Sequence, residues 1–299
     1  MSTITISADM VRILREKTGA AMMDCKKALT ENNGDMDAAV KWLREKGIAG
    51  AEKKAGRAAS EGLAGVKING KDGVIVEMNC ETDFVAKTDK FIALLGHATE
   101  AGLKAVADSH EAAAQAAIKI VASDGQSVEE HIKSSIAALG ENMALARVAR
   151  ISVKQGALGS YRHSDGKMAA IVALECAKAD TASKPEFIEL AKDLAMQVAG
   201  NLPPAEVVSR EQLSPELIAR EKEIALTQAT QAGAGKPANI IEKIAEGKLS
   251  KVLQEVTLLE QAFIKDPSLK IEGLLKQVGA KVGDTLSISG FIRIKVGVK

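Results

Sequence analysis

The stretch Ile75-Val76-Glu77-Met78-Asn79-Cys80, continued at Phe91-Ile92-Ala93-Leu94, decides the fold, because it returns as Ile171-Val172-Ala173-Leu174-Glu175-Cys176 and Phe187-Ile188-Glu189-Leu190. Ile75, Val76, Cys80, Phe91, Ile92 and Leu94 all recur at one constant offset of 96 residues, the mark of an internal duplication. Upstream, Gly62 and Gly65 are matched by Gly156 and Gly159 at an offset of 94, so the second hairpin turn, around His163 to Lys167, is two residues longer. In the first copy the apolar runs Leu63 to Ile68 and Val74 to Met78 flank Asn69-Gly70-Lys71-Asp72-Gly73, a hairpin signal. Ala-rich helices follow from Phe91 to about Leu139, then a strand-like run through Arg147, Val148, Ile151 and Val153. Each copy therefore reads as strand, turn, strand and helix, which buries one sheet face against helices and predicts an α+β class with antiparallel sheets.

Working outward, residues 1–50 read as a three-helix domain. Ser7 is the expected cap of a first helix with Met10, Val11 and Leu14 inward, which Gly19 stops. A second carries Met22, Met23, Ala28 and Leu29 to Asn33-Gly34, and a third starts at Asp35 with Met36, Ala39, Val40 and Leu43 inward and ends near Gly47. Residues 51–61 lie in a small, charged stretch without apolar period and read as a linker. The core halves are then 62–154 and, discontinuously, 155–205 with 256–299. The insertion 206–255 reads as an antiparallel coiled-coil hairpin. Ser214 caps it, Pro215 opens it, Leu217, Ile224 and Ala225 face Ile240, Ile241, Ile244 and Leu249, and Gly233, Gly235 and Pro237 make the break. The last run, Leu286, Ile288, Ile292, Ile294 and Val296, is a strand expected to join the second sheet.

The chain has 299 residues, with 40 Lys and Arg against 39 Asp and Glu, a net charge of +1 that offers no basic excess for coating phosphates. Five Phe, one Trp and one Tyr leave few platforms for stacking bases. Direct nucleic-acid binding is therefore not expected. Cys25, Cys80 and Cys176 form no CxxC pair, which suits a reducing compartment, and the start carries no apolar signal region. The most apolar run, Met168 to Cys176, is about half a membrane span. A soluble, cytoplasmic protein is the expectation.

Catalytic constellations are not found. Gly65 to Lys71 nearly matches a phosphate-binding loop, but Asp72 stands where a hydroxyl should hold Mg²⁺, and the glycines sit in a hairpin with no helix N-terminus after them. His97, His110, His131 and His163 show no metal-ligand spacing, and no GxSxG occurs. No metal, cofactor or covalent catalysis is expected. One asymmetry stands out: ten residues separate Cys80 from Phe91 and Cys176 from Phe187, yet Glu81-Thr82-Asp83-Phe84-Val85 becomes Ala177-Lys178-Ala179-Asp180-Thr181, so Phe84 has no counterpart. Thr82 as a helix cap with Phe84 tucked beneath is the structural alternative to a role at the surface.

Leu14-Arg15-Glu16-Lys17-Thr18-Gly19-Ala20-Ala21-Met22-Met23-Asp24-Cys25-Lys26-Lys27-Ala28-Leu29 and Asn79-Cys80-Glu81-Thr82-Asp83-Phe84-Val85-Ala86 resemble the elongation factor Ts family. Gly159-Ser160-Tyr161-Arg162-His163, Ser183-Lys184-Pro185-Glu186-Phe187-Ile188, Glu246-Gly247-Lys248 and Gly290-Phe291-Ile292-Arg293 extend the likeness in family order. The resemblance implies a ubiquitin-associated-like N-terminal domain and a guanine-nucleotide exchange factor that binds elongation factor Tu, promotes GDP release and is not an enzyme. It implies that Thr82, Asp83, Phe84 and Val85 dislodge Mg²⁺ from the partner GTPase, with Phe84 as wedge and Asp83 as disturbing carboxylate. It assigns Arg15, Met22 and Met23 to one partner contact and His163 and Ile264 to another. Two adjacent methionines at a helix start cannot both face one small core, so one is expected outside. Some relatives continue into a further helical module, whereas this chain stops at Gly297-Val298-Lys299, and no contacts from that module are expected. A small NTPase on Gly65 to Lys71 and an adaptor whose three-helix domain binds a ubiquitin-like or other helical partner are the competing readings. A homodimer, or a heterotetramer with the GTPase, stays open because the hairpin can pack within or between chains.

Overall fold

Ser7 and Gly19 bound the first helix by opposite means. The Ser7 hydroxyl accepts from the Met10 N–H at 3.2 Å, and Gly19, at φ 69°, donates back to the Arg15 carbonyl. The computed structural model describes residues 5–107, 109–234 and 237–298, and the side chains of all of these but 48–52. The expected break at Gly235 and the terminal Lys299 lie outside the described residues. No described helix is long and apolar enough to cross a membrane. Two compact units emerge: Met1–Lys67 with Val74–Ala149 and Ile294–Lys299, and Ile68–Gly73 with Arg150–Arg293.

The first unit opens with α1 (Ala8–Thr18), α2 (Met22–Glu31) and α3 (Met36–Lys54) around Val11, Leu14, Cys25, Ala28, Leu29 and Ala39. Gly47 does not end α3, which runs on to Lys54. A Cβ at Gly47 would lie 3.2 Å from the Ala137 methyl, so this glycine serves close packing rather than a stop. Strands β1 (Glu61–Asn69) and β2 (Asp72–Cys80) meet at a two-residue turn in which Gly70 takes φ 61°. Short α4 (Asp83–Ala86) follows, then α5 (Asp89–Gly102), α6 (His110–Ala117), α7 (Val128–Leu139) and β3 (Met143–Ser152). The sheet order is β1-β2-β3, so β2 is central and buried on both faces rather than alternating. Val74, Val76 and Met78 pack with Phe91 and Leu94 of α5, Ile132 and Ile136 of α7, and Leu145 of β3.

The second unit repeats this plan. Strands β4 (Gly156–Arg162) and β5 (Met168–Cys176) pair antiparallel from Gly156 opposite Glu175 to Arg162 opposite Ala169. A 3₁₀ turn, Ala179–Ser183, stands where α4 stands, and α8 (Pro185–Gly200) corresponds to α5. Helices α9 (Pro215–Ala232) and α10 (Ala238–Val256) form the hairpin, and β6 (Ala262–Phe263) pairs with β7 (Asp266–Lys270). Helix α11 (Ile271–Val282) and β8 (Leu286–Lys295) match α7 and β3 in length, and the sheet order is β4-β5-β8. Phe187, Leu190, Leu275 and Ile288 occupy the core places of Phe91, Leu94, Ile132 and Leu145.

Duplication is visible in backbone strain as well. Gly62 and Gly156 adopt φ 141° and 146°, and a Cβ on either would stand 2.0 Å from a carbonyl oxygen, of Met78 or Leu174. The hairpin departs from expectation in one respect. Ile224 and Ile240 are exposed rather than inward, while the expected Ala225 is buried with Ala229 and Ala245, and Leu217 and Leu249 pack with Leu253 and Val256.

Candidate functional site

Cys80 ends β2, and its thiol donates to the Thr82 carbonyl at 3.1 Å, which folds the chain sharply out of the sheet. Thr82 caps α4, its hydroxyl accepting from the Val85 N–H at 3.4 Å. A single carboxylate anchors this cap. Glu141 accepts the Thr82 N–H at 2.9 Å with one oxygen and the Thr82 hydroxyl at 2.6 Å with the other. Next to it, Glu81 accepts from the Asn142 N–H at 2.6 Å, and the Asn142 amide donates to the Arg57 carbonyl at 2.8 Å. The turn is thus fastened on both sides, to the segment before β1 and to the segment before β3.

What the turn presents is Phe84. Ala86 is buried and Val85 packs on the core, so the helical turn points Phe84 outward at 79% exposure. The alternative in which Phe84 tucks beneath Thr82 is thereby excluded. Asp83 pairs with Lys87 at 2.7 Å, but both side chains are exposed, and such an i,i+4 pair contributes only about 0.3–0.5 kcal/mol.

Burial raises the Cys80 thiol to about 12, so it remains protonated and serves packing rather than nucleophilic chemistry. Gly65 to Lys71 forms the end of β1 and its turn, and β2 rather than a helix follows, so the loop supplies no anion-binding helix N-terminus.

The remaining sequence-derived residues fall into two groups. Arg15 lies exposed in the last turn of α1, and Met22 and Met23 open α2 at 56% and 74% exposure, so both methionines stand outside the core rather than one. Ile13 adds a further exposed apolar group on α1. The intervening Gly19 carbonyl accepts from Lys90 of α5 at 3.1 Å, which brings the α1–α2 turn to the helix that follows Phe84. His163 and Ile264 belong to the second unit. His163 is exposed at the β4–β5 turn with its Nδ1 3.1 Å from the Tyr161 hydroxyl, and Ile264 follows β6 with its N–H donating to Gln197 Oε1 at 2.7 Å.

Sequence reading missed the Glu141 anchor. Its signal was a second offset: Gly140-Glu141 before β3 recurs as Gly283-Asp284 before β8, both glycines left-handed at φ 82° and 69°. In the second unit Asp284 accepts the Lys178 N–H at 2.9 Å, the same contact transposed.

A family model described as Elongation factor TS matches residues 81–298. Over 98% of its length the chain is 46% identical to elongation factor Ts of Nitratidesulfovibrio vulgaris (strain DP4), covering 96% of that protein. It is 42% identical to elongation factor Ts of Parvibaculum lavamentivorans and 41% to that of Lawsonia intracellularis, over 92% and 99% of those chains. With the duplicated α+β core already in view, the chain belongs to the elongation factor Ts family, the nucleotide exchange factors that serve elongation factor Tu in translation elongation.

Proposed function

We propose that this chain accelerates GDP release by inserting Phe84 beside the nucleotide site of elongation factor Tu, which displaces Mg²⁺ and opens the pocket. A factor speeds release only by binding the nucleotide-poor shape more tightly than the loaded one, so it needs a group whose burial becomes available when the site opens. The observation that carries this reading is Phe84 at 79% exposure on a turn fastened by Glu141. An apolar ring held in water at such a rigid place gains about 1.5–3 kcal/mol on burial in a partner, or roughly ten- to a hundredfold in rate or affinity. Asp83 adds a carboxylate that exchanges its weak Lys87 pair for the waters and hydroxyls around Mg²⁺.

Thr82 caps the turn and Val85 roots it in the core. Arg15, Met22 and Met23 dock on the GTPase domain, and His163 and Ile264 on another domain of the partner, so binding is divided from the opening step. The five-part organisation read from the sequence suits this, with the three N-terminal helices as one docking arm. No covalent bond changes hands, no cofactor is required, and the factor works in the cytoplasm alongside translation.

Stopped-flow release of labelled GDP from elongation factor Tu, with Mg²⁺ present and after its removal by chelation, tests the proposal. Phe84→Ala slows release about ten- to a hundredfold with Mg²⁺ present and by a much smaller factor once Mg²⁺ is gone. Equal losses under both conditions would refute Mg²⁺ displacement as the role of Phe84.

A further inference from the structure

Two histidines that the sequence holds far apart come face to face. His97 of α5 and His131 of α7 stack with ring centroids 4.1 Å apart and planes 8° from parallel. Asp124, in the loop closed by the bridge between Val121 and Ser127, places an oxygen 3.1 Å from His131 Nε2. One ligand atom from each of the three lies within 4.8 Å of the other two.

We propose that His97, Asp124 and His131 form a three-ligand site for a divalent transition-metal ion of the zinc class, which pins α5 to α7 and leaves one coordination position open. Two imidazoles and one carboxylate suit zinc and its neighbours, whereas Mg²⁺ and Ca²⁺ demand a shell of oxygens. Neighbouring ligands on a tetrahedral zinc with bonds of about 2.0–2.1 Å stand roughly 3.3–3.4 Å apart. Asp124 and His131, at 3.1 Å, already stand close to that spacing, and His97 joins them by rotating its ring out of the stack, because the lone pairs of parallel imidazoles do not converge on one ion.

The ligands also stand on supported backbone. Asp124 accepts the Gln126 N–H at 3.1 Å, which fixes its loop. His131 follows the reciprocal Ser127–Glu130 capping box that starts α7. His97 lies in the middle of α5. Both rings border a cleft of about 200 Å³, also lined by Thr18, Lys90 and Ser134, which gives an ion an entry path and the open position a place for water. Thr18 and Lys90 flank the Gly19 turn, so the ion would sit against the α1–α2 corner that carries Met22 and Met23.

Calorimetric titration of ZnCl₂ into the untagged full chain, with Co²⁺ as spectroscopic probe, tests this. One ion binds per chain, Co²⁺ shows the intense visible bands of a four-coordinate site, and saturation raises Tm by roughly 5 °C at a hundredfold excess over Kd. Asp124→Asn, an exposed and isosteric change, and His131→Gln each weaken binding at least about tenfold. Absence of saturable binding, or binding that persists unchanged in both variants, would overturn the site and leave a stacked histidine pair bonded to an aspartate.

Discussion

The turn after β2 and the turn after β5 share a frame and differ at the tip. In both, a cysteine thiol donates two residues ahead, from Cys80 to the Thr82 carbonyl and from Cys176 to the Lys178 carbonyl, at 3.1 and 3.2 Å. In both, a carboxylate beyond a left-handed glycine accepts the N–H of that second residue. Then they part. The first turn holds up exposed Phe84, whereas Asp180 occupies the same place in the second and pairs weakly with Lys184 at 3.7 Å. Under the proposed function, a duplicated support with one altered tip separates what the fold requires from what the partner requires: support residues answer to stability, and the tip answers to exchange.

The comparison can be strained first at the shared core. Phe91→Ala and Phe187→Ala remove fully buried rings at equivalent places, and each lowers unfolding free energy by about 3–5 kcal/mol in denaturant titration. Near-equal losses are expected, and a large difference would mean that the two halves do not share one packing plan.

A smaller, one-sided effect follows at Glu77, whose twin is Ala173. Glu77 is buried and accepts Arg147 Nε at 2.5 Å and the Gly297 N–H at 2.8 Å, so Glu77→Ala takes the carboxylate from Arg147, which keeps its bond to the Lys295 carbonyl, and costs about 3 kcal/mol, while Ala173 has no such tie to lose. Thermal melts of the variant beside wild type read this directly.

Smallest in stability is Glu141→Ala, which removes two hydrogen bonds to a charged acceptor and costs about 1.5–3 kcal/mol. Because the cap then holds Phe84 less rigidly, GDP release slows severalfold in stopped-flow traces although Phe84 itself is intact. A stability loss with unchanged release would show that the anchor serves folding alone.

Much of this architecture was legible because a duplication shows as a constant offset along the chain and periodicity is a local signal. Cys80 and Cys176 stand out through that offset, while the hairpin at Gly70 and the caps at Ser7 and Ser214 each depend on residues within a few positions of one another. Contacts that join distant segments were not legible. Gly47 reads as a stop until Ala137 is seen against it, and Ile224 reads as a seam residue until it is seen exposed beside buried Ala225. Glu141 holds Thr82 across 59 residues, and His97 meets His131 only through the packing of α5 on α7. At the site itself the odd tip could be read from the repeat and its name from a resemblance. Its exposure could not, because capping and tucking use the same residues as capping and presenting.

Exchanging the two tips tests the central claim most directly. At saturating factor, the rate of labelled GDP release from elongation factor Tu is expected to fall at least about tenfold with Phe84→Asp and to stay at the wild-type value with Asp180→Phe. Full activity of Phe84→Asp, in a variant that still binds the GTPase, would contradict the account.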